Sequence, residues 1–166
     1  KIDTNVKIDP FLIAEKLTGK SVFLEDVQGF NGMLITVEDR NAILINNSIR
    51  EEGKKRFTCA HEIGHFLLHD QKKERIRCTE EDIDVIYKKK SIESEANEFA
   101  SELLIPTEIL KKLINGKHPS KDLLNTLMDR FGTTLTATVL KYIKLCDLSC
   151  AVVVTKNEIV NWCYKS

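Results

Sequence analysis

The chain has little proline (3 residues) and little glycine (7), which excludes a linker-rich or collagen-like polypeptide. It lacks long apolar runs, so no segment of the sequence reads as a transmembrane helix. It carries no excess of either charge: 25 Lys and Arg balance 25 Asp and Glu. A net charge of zero gives no global attraction to nucleic acid or to an anionic membrane. Cysteine is sparse and odd in number, with 5 residues at 59, 78, 146, 150 and 163. No spacing repeats and no signal-peptide pattern precedes them, which argues against a disulfide framework and for a reducing cytoplasm. Cys146 and Cys150 lie four apart, but no second pair completes a metal site, so they read as core thiols. The chain opens on Lys1 rather than Met, which leaves room for upstream residues in the native protein. What the sequence does have is 42% hydrophobic residues over 166 positions, enough for a domain with a substantial core.

The hydrophobic pattern predicts an α+β fold. Asp9 to Lys16, with Pro10 in its first turn, reads as a short helix. Val22 to Leu24, Gly32 to Val37 and Ala42 to Ile45 read as strands, the last two joined by a turn at Glu38-Asp39-Arg40-Asn41. Ser48-Ile49-Arg50-Glu51 has the form of a capping box and predicts a helix to about Asp70, with its second half buried. Gln71 to Lys90 is highly charged, without clear period, and reads as solvated surface. A second helix is expected after Ser91, with Ala96, Phe99, Ala100, Leu103 and Leu104 at helical spacing, ended by Pro106. Three more helices are expected at 107–115, 120–131 and 134–145, then a hairpin of Cys150 to Val154 and Ile159 to Tyr164 around Lys156-Asn157. The division expected is a core over 1–106 and a helical region with terminal hairpin over 107–166, packed together as one domain.

The chemistry lies in His61-Glu62-Ile63-Gly64-His65. Two histidines at i and i+4 share one helix face, so both imidazoles reach a single ion. Neutral imidazoles suit zinc (Zn2+), and a catalytic zinc needs one more protein ligand with the fourth position left to water. Glu62 cannot share the ligand direction but flanks that water, the place of a general base. A metzincin would need Gly at position 68 and His at 71, where this chain has Leu68 and Gln71, so that class is excluded. His69 lies about 12 Å along the axis from His61, too far to share the ion, and reads as an outer or surface histidine. His118, beside Pro119, reads as a turn residue.

A carboxylate is left as the third ligand, and Glu93-Ser94-Glu95-Ala96-Asn97-Glu98 supplies it. Periodicity does not choose between Glu93 and Glu95, which flank the apolar stripe at similar angles, whereas Glu98 points to solvent. Asn97, one turn after Glu93, could orient a ligand and favours Glu93, with Glu95 as the fallback.

Arg56-Phe57-Thr58-Cys59-Ala60-His61-Glu62-Ile63-Gly64-His65-Phe66-Leu67-Leu68-His69 resembles the core of the ImmA/IrrE family of metallopeptidases. Glu93-Ser94-Glu95-Ala96-Asn97-Glu98-Phe99-Ala100 with Leu103-Leu104-Ile105-Pro106 is similar to that family's second motif, E-x-x-A-(N/D)-x-F-A, and Phe131 to Thr138 to its helical C-terminal part. The motifs stand in order, 28 residues apart from His65 to Glu93. Cys59 departs from the aliphatic residue usual there. The resemblance implies that Glu93 is the third zinc ligand and that the fold is gluzincin-like. It further implies an intracellular bacterial or phage peptidase that cleaves Xre-type helix-turn-helix repressors and so relieves repression of mobile-element or stress genes.

On this reading the metal is held by His61, His65 and Glu93, and Glu62 is the base. Strand Ala42 to Ile45 is a candidate edge for an extended substrate. The oxyanion donor stays open among Tyr87, His118, Tyr142 and several arginines. Two rival readings are a non-catalytic zinc-containing regulator that binds a repressor or DNA, and a nucleic-acid module built on the +4 balance of residues 107–146.

Overall fold

The computed structural model describes residues 7–37, 40–69, 76–78 and 91–166. Asp9 is extended and its carboxylate accepts the Phe11 amide, so helix α1 (Pro10–Thr18) starts at the proline. Strands β1 (Phe23–Glu25), β2 (Gly32–Val37), β3 (Arg40–Asn46) and β4 (Ile76–Cys78) form one sheet in the order β1-β3-β2-β4. The expected pairing of β2 with β3 is antiparallel, with Val37 opposite Arg40. Arg40 and Asn41 therefore belong to β3 and not to the turn, of which 38 and 39 lie outside the described residues. β1 lies parallel to β3 and β4 antiparallel to β2. That corrects the edge assignment in part: Leu44 and Ile45 are paired on both sides, with β2 and β1, whereas Ala42 and Ile43 pair with β2 alone. The charged segment after Gln71 lies outside the described residues except for β4, which the lack of periodicity had hidden.

Helix α2 (Glu52–Leu68) starts later than its sequence pattern predicts. The capping box at Ser48 does not form, because the Ser48 hydroxyl and amide both donate to Asn46 Oδ1, at 2.7 and 3.0 Å. Buried Asn46 also donates to the carbonyls of Val27 and Phe30, so this side chain organises the loops on either side of it. Burial on α2 runs through Arg56 and Thr58 to His65, whereas Leu67 and Leu68 are about half exposed. The second half is therefore buried as far as His65, as expected, and its last turn is not.

Helix α3 (Ile92–Leu104) begins at Ser91 in a reciprocal capping box with Ser94. Helices α4 (Thr107–Ile114), α5 (Lys121–Phe131) and α6 (Leu135–Leu145) follow within a residue of the expected bounds. Strands β5 (Ala151–Lys156) and β6 (Ile159–Lys165) close the chain as a hairpin. Its turn is Asn157-Glu158, both at positive φ, one residue beyond the expected place because Lys156 still pairs with Ile159.

Two apolar clusters meet at α2. Cys59 and Ile63 pack with Ala14 of α1 and with Leu34, Ile43 and Ile45 of the sheet. Ala60 packs on the other side with Ala100 and Leu104 of α3 and with Leu110, Leu127 and Tyr142 of the later helices. An α+β molecule results, with α2 between its sheet and its helices. Arg56 fixes the helix further, donating to the carbonyls of Gly132 and Ile8. No helix among the described residues is long and apolar enough to cross a membrane.

Candidate metal centre

Helical spacing places His61 and His65 one turn apart on α2, both fully buried. The capping box at Ser91 sets where α3 begins and so puts Glu93 in its first turn. Gly64 lies against Ala96, which brings the two helices to backbone contact distance. Glu93 Oε2 then lies 3.1 Å from His61 Nε2 and 3.2 Å from His65 Nε2, and the two Nε2 atoms are 2.9 Å apart. The other ring nitrogens are also engaged. His61 Nδ1 donates to Asn97 Oδ1 at 2.8 Å, while His65 Nδ1 lies 3.0 Å from His69 Nδ1. His69 Nε2 in turn meets Glu95 Oε2 at 3.2 Å.

This donor set fits a metal ion. With its Nδ1 proton given to Asn97, a neutral His61 presents a lone pair at Nε2, and Glu93 presents carboxylate oxygens to the same point. Buried lone pairs repel one another unless a cation or a proton stands among them. Burial works to raise the Glu93 carboxyl, but protonated His61 and His65 outweigh it by hydrogen bonds and charge and hold it at about 2. A cation in the place of those protons favours the Glu93 carboxylate in the same way. Among the described residues, His61, His65 and Glu93 are the His, Cys, Asp and Glu group placed to hold an ion.

Glu62 is fully buried beside this group. It lies under the start of β2, where a Cβ on Gly32 would stand 2.8 Å from Glu62 Oε1 and 2.5 Å from Thr58 Cγ2. The absence of a side chain at 32 gives the Glu62 carboxylate its room. Nothing in the local sequence around Gly32 signals this, since the contact joins a strand to a helix 30 residues away.

Residues 16–141, three quarters of the chain, match the peptidase family described as the IrrE N-terminal-like domain (family M78). The chain belongs to the IrrE N-terminal-like peptidase family. It is also 30% identical over 91 residues to a Bacillus phage phi105 protein named uncharacterized immunity region protein 2. That alignment covers 52% of each, so the chain spans about half the length of this relative.

Within this IrrE-like domain the remaining candidates take other places. Glu95 is half exposed and meets His69 instead of the triad. His69 is nearly buried and continues the chain of contacts from His65. His118 is exposed between α4 and α5. Tyr142 is buried and donates to the Lys117 carbonyl, so its hydroxyl is committed to the core and drops out as an oxyanion donor. Tyr87 lies outside the described residues. Cys146 and Cys150 are half-buried free thiols against the helical cluster. In the basic 107–146 segment, Lys141 and Lys144 each pair with a carboxylate of α3, Glu102 and Glu98, both at 2.7 Å. Those contacts weaken the case for a basic face there.

Proposed function

We propose that this protein is a zinc endopeptidase with a gluzincin-like active-site helix (α2) and glutamate helix (α3). The observation that carries it is the convergence of His61 Nε2, His65 Nε2 and Glu93 Oε2 within 3.2 Å, with buried Glu62 next to His61 in the helix. Membership of a peptidase family supports the same reaction. Structural zinc sites are closed by four protein ligands, whereas three among the described residues leave a position for water.

His61, His65 and Glu93 would hold the ion, and Asn97 and His69 would fix the two imidazoles through their Nδ1 atoms. When bound, zinc supplies Lewis-acid polarisation of the scissile carbonyl and lowers the pKa of water. Glu62 accepts a proton from the attacking water and returns it to the leaving amine, so water is added across the peptide bond. Residues 107–166 pack on the 1–106 core as one domain, a reading supported by the cluster that Ala60 shares with Leu110, Leu127 and Tyr142.

The substrate we propose is an Xre-type helix-turn-helix repressor in the cytoplasm, whose cleavage derepresses mobile-element or stress genes. The immunity-region name of the phage relative supports a regulator as target. The test is incubation of the zinc-loaded protein with the Xre-type repressor encoded beside its gene. Two discrete fragments are expected, and none with Glu62→Gln. An intact repressor with the wild-type protein would overturn the substrate assignment, and cleavage by Glu62→Gln would overturn the role of Glu62.

A further inference from the structure

Two cysteines far from the metal centre share one short turn. Cys146 is the C-cap of α6 and Cys150 stands directly before β5, with Asp147, Leu148 and Ser149 between them. The turn doubles back on itself. The Cys146 thiol donates to the Leu148 carbonyl at 3.5 Å, and the Ser166 hydroxyl donates to the same oxygen at 3.2 Å. That hydroxyl also accepts the Cys150 N–H at 3.1 Å, while the Ser166 N–H donates to the Cys150 carbonyl at 3.0 Å. One carbonyl and one hydroxyl thus tie Cys146 Sγ to the backbone of Cys150.

Both side chains turn to the same surface. Cys146 and Cys150 pack against the helical cluster that contains Leu110, Leu127 and Tyr142. Burial and the adjoining Cys146 thiol push the Cys150 thiol up. Burial and the same two thiols push the Tyr142 hydroxyl up, so both sulfurs flank one phenol. A disulfide needs its Cβ atoms about 4 Å apart, a span that a doubled-back turn of three intervening residues can bridge. Both thiols are half-buried and open to a small reagent, whereas Cys59 is fully buried in the other cluster.

The pair also stands where a covalent link would act. The terminal hairpin packs on the helical cluster through Cys150, Val152 and Tyr164, while Val153, Ile159 and Val160 are exposed. Cys150 is at the base of that hairpin and Cys146 at the end of α6.

We propose that Cys146 and Cys150 are a reversible dithiol–disulfide site oxidised by small-molecule disulfides, and that its closure fastens the base of the terminal hairpin to α6. The thiolate of one cysteine attacks a sulfur of the small disulfide, and a small thiolate leaves. The other cysteine then attacks the protein sulfur of the mixed disulfide, and the second small thiolate leaves. Two protein thiols are oxidised to one S–S bond and one small disulfide is reduced to two thiols, which take up the two cysteine protons. Excess small thiol runs the same steps backwards.

The experiment treats the full chain with oxidised glutathione, blocks the remaining thiols with iodoacetamide and maps tryptic peptides by mass. Cys146 and Cys150 fall together in the peptide 145–156, apart from the other three cysteines. That peptide is expected to escape alkylation and to be about 2 Da lighter than its reduced form, the two hydrogens lost on closure. Dithiothreitol should restore it. Cys146→Ser and Cys150→Ser should each leave the remaining cysteine of the pair carrying glutathione. Amide exchange in β5 and β6 should slow by about fivefold on oxidation of the wild-type protein and stay unchanged in treated Cys150→Ser. A peptide 145–156 with both cysteines alkylated, or with glutathione on both, would overturn the site. Closure with unaltered hairpin exchange would overturn the fastening of the hairpin.

Discussion

A Cβ added at Gly64 of α2 would stand 3.0 Å from the Cα of Ala96 on α3 and 3.2 Å from its carbonyl oxygen. This approach sets the helix separation at which Glu93, on the turn before Ala96, reaches both histidines. Gly64→Ala must push backbone away from backbone, which costs about 1–3 kcal/mol in an already packed core. Zinc affinity should fall by about tenfold or more, because Glu93 is withdrawn from the site. Chelator-buffered zinc titration and denaturant melts check both effects. A folded Gly64→Ala protein with wild-type zinc affinity would contradict this role.

The approach of Gly32 to Glu62 gives a prediction of a different kind. Gly32→Ala places a methyl 2.5 Å from Thr58 Cγ2 and 2.8 Å from Glu62 Oε1, so both side chains must shift while the triad stays. Zinc content should be unchanged and cleavage should fall by about a hundredfold, the scale of a displaced general base. Loss of zinc together with activity would show that Gly32 supports the metal centre instead.

The Nδ1 partners of the two histidines should grade the metal affinity. Asn97→Ala removes the acceptor of His61, and His69→Ala removes the contact of His65, so each should weaken zinc by about 10–100-fold. Glu95 is half exposed and one contact further out, so Glu95→Ala should fall below either. Competition against a zinc-binding dye reads all three. An Asn97→Ala protein with unaltered affinity would remove Asn97 from the supporting set.

What could be read from the sequence was local. The i,i+4 histidines share a helix face by geometry alone, and Ser91 starts α3 by ordinary capping chemistry. His69 was expected outside the ion's reach, and its contact with His65 agrees. Non-local contacts were not legible. Asn46 draws Ser48 away from α2 across only two residues, but the Asn46 side chain is itself held by the carbonyls of Val27 and Phe30, 19 and 16 residues away. The parallel pairing of β1 covers Leu44 and Ile45, half of the strand taken for an edge, from about 20 residues away. Glu93 and Glu95 were equivalent by periodicity because α3 faces the site as a rigid body, and its rotation about its axis is set by packing at Gly64.

The ion pair of Lys141 and Glu102 predicts an acid-dependent term in stability. Burial works to raise the Glu102 carboxyl, but hydrogen bonds from Lys141 and Thr107 and the Lys141 charge outweigh it and hold it at about 2, below its ordinary 4.5. A carboxyl lowered on folding stabilises above its unfolded pKa. That contribution is lost as pH falls from about 4.5 towards about 2. Glu102 is half exposed, so solvent screening keeps the contribution small. Thermal melts of wild type and Glu102→Gln should differ at pH 6 and converge by about pH 2. A constant difference across that range would assign the effect of the substitution to packing.

The zinc content of Glu93→Ala and Glu95→Ala, measured side by side by native mass spectrometry, tests the metal centre most directly. The wild-type protein and Glu95→Ala should each carry one zinc ion per chain, whereas Glu93→Ala should carry almost none. Zinc retained by Glu93→Ala and lost from Glu95→Ala would contradict the assignment of His61, His65 and Glu93 as the site.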